Sequence, residues 1–545
     1  MSTAPVTNLF AEYVQRVAAE REDHVAYRSG DSTMTYREFG ETIRRVSTVL
    51  SEAGVAGGDR VATLMSTNTD YFCVSQGIWH AGGVLVPINV LLAGAEITHI
   101  LRDCGASVVI LDVDLANKFT DTIASQCPDI RILVNGQADG CDDLSLLLAG
   151  VDETISPAQV GPDRLAVIAY TSGTTGFPKG AMLDDQHLLD WTLNAKDHLQ
   201  LNADDNFLQV LPAHSVAPCI IGGWLTPILG STCVLLSRFD AAEVVHAIET
   251  DRVTCFAMVP TMLYDLLRFT QDTDPDFSSL RYIQAGGAAV SDAIRNQLAD
   301  RFGIAMIKSY GSTECSYVSL DYPGVAPPLG SSGQVLGHIH LAIRDAAGIE
   351  LGANQVGELC VGPSEDALGH SRPFRPILGY WRDEQKTAEA LKGAEFHTGD
   401  LGFIDDEGFV YIVDRLKDMI IRGGNNIYPA ELERALMEDG RVESAYVVGV
   451  ADERLGEIPF AFVVPADTTL SPDDLDDVVA GANVKLAKYK RIEGARLTSL
   501  DDLPKNAMNK ILKTELAKSA GIELKRRNSE DTLTGRPDRT PVKPQ

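Results

Sequence analysis

The sequence predicts an α/β protein. A large N-terminal domain would hold two parallel-sheet α/β subdomains and a small β subdomain, and a small α+β domain would follow. Three observations predict this. Apolar runs of strand length alternate with helical stretches at the spacing of βαβ units. Near Gly333 that alternation gives way to short strands and turns, and after Arg415 a separate mixed pattern begins. At 545 residues the chain also exceeds what one core supports, so at least two domains are expected.

Taken in order, residues 8–55 read as two helices around a short strand, with Tyr36 to Leu50 amphipathic. Arg60 to Met65 is a buried strand. A helix from Asp70 to Ala81, a strand from Gly83 to Pro87, a helix from Glu96 to Cys104 and a strand from Ser107 to Asp112 follow. Asn135 to Gln159 is acidic and reads as an irregular surface connection. Val167 to Tyr170 and Ala181 to Leu183 are strands on either side of a glycine-rich loop.

Phe207 to Ser237 contains no Asp, Glu, Lys or Arg, a length that raises a membrane span. Its Pro212, Pro218, Pro227, Gly222, Gly223 and Gly230 instead split it into a strand end, a short helix and a second strand from Thr232 to Leu236. A buried core passage, with no membrane span, is the reading.

Ala241 to Thr250 is helical, Thr254 to Val259 is a strand, and Pro260 opens a helix as a favourable first residue. Leu280 to Gln284 is a strand, Ser291 caps a helix reaching Phe302, and Ala305 to Ser309 is a strand. Gly408 to Val413 ends the β section. Then come a strand at Met419 to Ile421, a helix at Pro429 to Glu438, strands at Ser444 to Val450 and Ile458 to Pro465, and helices at Leu475 to Leu486 and Ile511 to Lys518. The tail beyond Glu523 is polar, Pro-rich and charged, which predicts disorder.

Composition excludes some partners. With 47 Lys and Arg against 76 Asp and Glu, the net charge is −29, and no large basic block interrupts it. Nucleic acid is therefore not expected as a partner. The nine cysteines have no C-x-x-C or other metal-ligand spacing, which suits a reduced, cytoplasmic compartment. Met1 to Val17 has no apolar h-region, so no signal peptide is expected.

The chemistry is concentrated in Tyr170-Thr171-Ser172-Gly173-Thr174-Thr175-Gly176-Phe177-Pro178-Lys179-Gly180. Its glycines let the backbone approach a ligand, its successive N–H groups can form an anion-binding concavity, and its hydroxyls and lysine add donors and charge. That is the chemistry of holding a polyphosphate. It is not a Walker A loop, because Lys179 is followed by Gly180 and a strand.

Further motifs follow in order: Leu211-Pro212-Ala213-His214, Gly286-Gly287-Ala288, Tyr310-Gly311-Ser312-Thr313-Glu314, His397-Thr398-Gly399-Asp400 and Asp414-Arg415-Leu416-Lys417. The last are Gly423-Gly424-Asn425-Asn426-Ile427 and Leu503-Pro504-Lys505 running to Asn509-Lys510-Ile511. With these the chain resembles the adenylate-forming superfamily of acyl-CoA synthetases, luciferases and peptide-synthetase adenylation domains, from about residue 10 to 518.

The resemblance implies ATP-dependent activation of a carboxylic acid to an acyl adenylate, with release of pyrophosphate, then transfer to CoA. Lys510 would be the main electrostatic catalyst, bridging carboxylate and α-phosphate, although Asn509 stands where the family has glycine. Glu314 would hold Mg²⁺, with Thr174 and Thr313 adding hydroxyls. Thr171, Ser172, Gly173, Thr174, Thr175 and Lys179 would hold phosphates. Tyr310 would offer its ring to adenine with the Gly286-Gly287-Ala288 backbone on the other side, and Gly311 and Ile412 would also bind the nucleotide. Asp400 would take both ribose hydroxyls, and Arg415 would donate to ribose or phosphate. His214 would lie near the acyl carboxylate.

Lys417 corresponds to a hinge, which divides the chain into an N-terminal domain (1–414), the hinge (415–417), a mobile C-terminal domain (418–522) and the tail (523–545). Gly423 and Gly424 would line a pantetheine tunnel. Ala213 with Gly286, Gly287, Ala288 and Gly311 suggests room for a bulky acyl group. Ser215-Val216-Ala217 lacks the aspartate with which amino-acid-activating relatives hold an α-amino group.

An enzyme that passes the activated group to a carrier-protein thiol or a non-thiol nucleophile is the alternative, and a non-catalytic nucleotide-binding relative is a third. A homo-oligomer is left open.

Overall fold

The computed structural model describes residues 9–152, 154–161, 163–171, 178–220, 222–287, 292–364, 373–452, 454–466, 470–505 and 511–522. The predicted α/β architecture is found. One eight-stranded sheet has a parallel body of Leu165–Thr171, Val84–Pro87, Arg60–Leu64, Val108–Asp112, Arg131–Asn135 and Asp142–Asp143. Lys179–Asp184 and then Gly379–Tyr380 extend one edge antiparallel. Every residue of Val84–Pro87 is buried, as in a strand covered by helices on both faces.

The second sheet has nine strands. Val25–Ser29, Thr232–Leu235, Asn206–Gln209, Cys255–Met258, Tyr282–Ala285 and Ala305–Ser312 run parallel. Ser32–Thr35 closes one edge antiparallel, and Ser316–Leu320 with Gln334–Val335 the other. Ile339–Arg344, Gly357–Pro363, Glu395–Ile404, Leu391–Lys392 and Val410–Arg415 form an all-antiparallel third sheet. The fourth, from Ile420 to Leu497, belongs to the separate C-terminal unit and has its own core around Ile420, Leu432, Val447 and Ala461.

Local chemistry sets the helix starts. Thr35 and Glu38 make a reciprocal capping box ahead of Tyr36–Glu52. Pro260 and Pro429 each open a helix, where a missing N–H costs nothing.

The charge-free stretch is a core passage, as expected, but it holds two short helices, Val216–Ile220 and Thr226–Leu229, where one was expected. Trp224 within it is fully buried. The buried Tyr27 hydroxyl donates to the Gly223 carbonyl, and that of Tyr36 to the Thr226 and Ser231 carbonyls. Among the described residues no helix is long and apolar enough to cross a membrane.

Other expectations need correction. The first strand is a pair, Val25–Ser29 and Ser32–Thr35, turned at Gly30 with φ 56°. The acidic connection is not wholly irregular: Asp143 accepts from the Ser145 and Leu146 N–H groups and starts a helix, Leu144–Ala149, on an apolar Leu run. The cap expected from Ser291 and the tail beyond Glu523 lie outside the described residues.

Candidate active site

In an open parallel sheet the segments that follow the strands' carboxyl ends share one edge. In the nine-stranded sheet these are residues 210–214 and Gly286-Gly287, with Tyr310-Gly311 in the last paired residues of Ala305–Ser312 itself. In the eight-stranded sheet the carboxyl end of Leu165–Thr171 opens the glycine-rich loop. Thr171 lies opposite Lys179 where that hairpin begins. Ser172, Gly173, Thr174 and Thr175 lie outside the described residues, as do Ala288 and Lys510.

Glu314 and Lys179 meet. The Glu314 side chain is largely buried, and its Oε1 lies 3.7 Å from Lys179 Nζ. The Thr171 hydroxyl is 3.5 Å from the same oxygen. The Glu314 backbone is set by its N–H donating to Ser312 Oγ and its carbonyl accepting from Ile377 N–H. Burial pushes the Lys179 pKa down, partly opposed by Glu314, and the charges of Lys386 and Arg415 push it the same way. A partly desolvated ammonium beside a carboxylate is a group that gains from an anionic ligand.

A residue the sequence reading missed completes this group. Tyr380, buried on the edge strand Gly379–Tyr380, accepts a 2.6 Å hydrogen bond from Lys179 Nζ and donates a 3.2 Å bond to Glu314 Oε1. Lys179 Nζ also stands 4.0 Å from the Tyr380 ring centroid. The Gly-Tyr-Trp run was the available signal, since an aromatic phenol buried beside a phosphate loop needs a polar partner.

A second group assembles around Asp400, which is 7% exposed. Tyr310 Oη donates to its Oδ2 at 2.8 Å, and Arg415 Nε forms an ion pair with its Oδ1 at 2.7 Å. Asp400 N–H in turn donates to Thr398 Oγ1, and Thr398 Oγ1 to the Leu359 carbonyl. The turn is stapled from below: Glu358 accepts from His397 Nδ1 at 2.8 Å and from Gly399 N–H at 3.2 Å. Cys360 Sγ lies 3.4 Å from His397 Nδ1, which brings three ligand-type side chains together on one sheet face. Burial pushes the Tyr310 hydroxyl's pKa well up, and Asp400 adds to this, so that hydroxyl remains a donor. Ile412 packs half-buried against the main core, on the strand that ends at Arg415.

The two groups sense each other. Burial is the main cause lifting the Cys315 thiol to about 12, and both Glu314 and Asp400 raise it further. Gly287, with φ 79° and, among the described residues, only Val259 Cγ1 within 4.0 Å of a Cβ there, leaves open space after the strand Tyr282–Ala285. Thr313 sits half-buried between Ser312 and Glu314.

The small residues do not all make space for an acyl group. A Cβ at Gly286 would stand 2.2 Å from Ser309 Oγ, and one at Gly311 would stand 2.0 Å from the Ser316 carbonyl. These two glycines are filled by their own neighbours and serve close backbone packing, which corrects the expected bulky-group cavity there. Ala213 is likewise fully packed, its N–H donating to Thr67 Oγ1. His214 has no hydrogen-bond partner among the described residues, and burial pushes its pKa to about 4, so the imidazole is neutral near pH 7.

In the C-terminal unit, Lys417 lies in a single 3₁₀ turn, Leu416–Asp418. Burial lowers its pKa, with Asp418 and Asp400 opposing. Gly423 and Gly424 have φ 56° and 80° and join Ile420–Arg422 to Asn425–Ile427. They form the turn of a hairpin, not part of a strand. On either side of the undescribed Lys510 segment, Lys505 and Ile511 face each other in an antiparallel bridge. Lys513 pairs with the partly buried Glu433 at 2.8 Å.

A buried carboxylate with a lysine and the Thr171 hydroxyl at the start of the glycine-rich loop, and a second carboxylate beside Tyr310 and Arg415, make up the candidate site. Glu314 fits Mg²⁺, a hard cation that takes carboxylate oxygen. All the donors described at Glu314 gather on Oε1.

The comparisons supply the class. The family described as "AMP-binding enzyme" matches residues 14–367, and its "AMP-binding enzyme C-terminal domain" matches residues 431–510. A feruloyl-CoA synthase of Amycolatopsis sp is 35% identical over 91% of this chain and 96% of its own length. An indoleacetate–CoA ligase of Aromatoleum aromaticum is 32% identical over 93% of this chain and 97% of its own. The ATP-bound crystal structure of MatB from Rhodopseudomonas palustris superposes with a TM-score of 0.84 at 27% identity, covering 94% of this chain and 99% of that one. The chain belongs to the AMP-binding enzyme family, and it is an AMP-forming ligase of the acyl-CoA synthetase type.

Proposed function

We propose that this chain activates an aryl-bearing carboxylic acid with Mg·ATP at the edge shared by the two parallel sheets, and then passes the acyl group to CoA. The observation that carries the reading is the pair of facing groups, Glu314 with Lys179 and Asp400 with Tyr310 and Arg415. The first suits a polyphosphate and the second a ribose. The aryl class rests on the two aromatic-acid relatives.

Both reactants are anions, so the site must position them and stabilise charge developing on phosphoryl oxygens. Lys179, Thr171 and the hydroxyls of Ser172, Thr174 and Thr175 orient the departing β- and γ-phosphates. Mg²⁺ held by Glu314, with Thr174 and Thr313 near it, supplies neutralising charge when bound. Asp400 accepts from the ribose hydroxyls while Arg415 keeps its carboxylate in place. Tyr310 offers its ring to adenine, and the Gly286-Gly287-Ala288 backbone and Ile412 face the other side. Lys510 supplies the cation at the α-phosphate. His214, neutral and without a hydrogen-bond partner among the described residues, lies by the acyl carboxylate and can accept a hydrogen bond without adding charge.

For the second half-reaction, 415–417 acts as the hinge between the N-terminal domain (1–414) and the C-terminal domain (418–522). Rotation at Lys417 withdraws Lys510 and brings the Gly423-Gly424 turn to the thiol's path. The nine free cysteines suit a cytoplasmic setting.

The test is acid-dependent ATP–pyrophosphate exchange over aryl-propenoic, arylacetic and long-chain fatty acids, followed by CoA-ester formation. Exchange and CoA-ester formation are expected to be strongest with an aryl acid. Preference for the long-chain acids overturns the aryl reading. Exchange with thioester formed only on a holo carrier protein overturns the CoA acceptor.

A further inference from the structure

We propose that Tyr380 is a positioning residue of the metal–polyphosphate clamp, whose hydroxyl holds Glu314 and Lys179 at the separation that lets Mg·ATP enter. The inference rests on the reading of Glu314 as the metal carboxylate.

Three contacts converge on one oxygen. Tyr380 Oη, Thr171 Oγ1 and Lys179 Nζ lie 3.2, 3.5 and 3.7 Å from Glu314 Oε1. Among the described residues no donor reaches Oε2. The carboxylate is thus turned so that its second oxygen stays available to a cation. The phenol is the group that can do this neutrally, because it donates to the carboxylate and accepts from the ammonium at once. At 3.7 Å the Lys179–Glu314 contact is an ion pair but too long for a hydrogen bond. A direct, short ammonium–carboxylate bond would occupy the carboxylate and oppose metal entry. The interposed hydroxyl, 2.6 Å from Nζ, takes the ammonium's hydrogen bond instead.

The backbone fixes the phenol independently of the loop it serves. Tyr380 pairs with Ala181 across the sheet edge, and its N–H donates to Thr387 Oγ1 at 2.8 Å. Trp381 N–H donates to the Gly180 carbonyl at 2.7 Å, and its indole Nε1–H to the Asp103 carbonyl at 2.9 Å. Tyr380 itself is 4% exposed. A tyrosine held this tightly on the edge strand has little freedom to follow the phosphates. It therefore sets where Glu314 and Lys179 wait, and its hydroxyl is left facing the polyphosphate once both have taken ligand.

The experiment is a Mg²⁺ titration of the binding of a non-hydrolysable ATP analogue to the full chain, by calorimetry, for wild type, Tyr380→Phe and Glu314→Gln. Tyr380→Phe keeps the ring and its contact with Lys179 but deletes the hydroxyl. A hydrogen bond to a charged group lost from the metal carboxylate raises the Mg²⁺ concentration for half-maximal binding about tenfold. The melting temperature should stay near wild type while the Mg²⁺ dependence moves, a split that a merely structural role would not give. If Glu314→Gln shifts the Mg²⁺ dependence and Tyr380→Phe does not, the role of Tyr380 is overturned and the metal site stands. If neither variant shifts it, Glu314 is not the metal carboxylate and both readings fall.

Discussion

Asp400→Asn tests the ribose contact most directly. The substitution keeps the side chain's shape and removes its charge. In the structure Oδ2 accepts from Tyr310 and Oδ1 forms an ion pair with Arg415. An amide placed here turns its NH₂ toward Tyr310, whose hydroxyl can accept, because Arg415 has no acceptor. The fold should therefore tolerate it. What is lost is a charged acceptor for the ribose hydroxyls. A hydrogen bond to a charged group contributes about 1.5–3 kcal/mol, so ATP binding should weaken by roughly ten- to a hundredfold. The assay is a substrate cycle: dissociation constants for ATP, 2′-deoxy-ATP and 3′-deoxy-ATP against wild type and Asp400→Asn. Wild type should discriminate against one or both deoxy nucleotides, and the variant should lose most of that discrimination. If the variant binds ATP less well yet discriminates as wild type does, Asp400 acts elsewhere and the ribose assignment is refuted.

Two further predictions follow, one from the proposed hinge and one from a buried histidine. Lys510→Ala should abolish acid-dependent pyrophosphate exchange yet spare thioester formation from preformed acyl adenylate, and Lys417→Pro should do the reverse; parallel loss of both half-reactions in either variant contradicts the two-orientation hinge. His187 is fully buried beside Ser316 Oγ at 2.9 Å, and burial lowers its pKa from 6.5 to about 4. The unfolded chain thus takes up this proton first as pH falls, so stability present at pH 7 is lost below pH 6.5. By linkage His187 contributes about 2 kcal/mol of that loss by pH 5. Urea unfolding of His187→Gln should show a correspondingly smaller difference between pH 7 and pH 5, and an unchanged difference counts against a neutral buried imidazole.

Much of the fold was legible because its signals are local. Val84-Leu85-Val86-Pro87 is apolar at every position, and a two-sided buried strand requires that. Pro260 and Pro429 open helices for reasons contained within one turn. The acidic stretch from Asn135 misled because its charges hide the Leu144–Ala149 run, which a single aspartate caps.

The site was legible as far as motif residues reach, and it brings Lys179 to Glu314 and Asp400 to Tyr310 and Arg415. Two kinds of information were not in the string. A missing side chain does not say whether space is open or already filled. Gly286 and Gly311 look like room for a substrate, but Ser309 and Ser316 occupy the place where each Cβ would go. A bridging group, too, need not lie near what it bridges. Tyr380 is 201 residues from Lys179 and 66 from Glu314, and no spacing rule joins them. The antiparallel addition of Gly379–Tyr380 to the strand that begins at Lys179 makes the contact. That edge strand thereby ties the sheet carrying the glycine-rich loop to the Tyr310–Glu314 motif. Backbone pairing places Tyr380 beside the strand that begins at Lys179, and its hydroxyl then reaches Glu314.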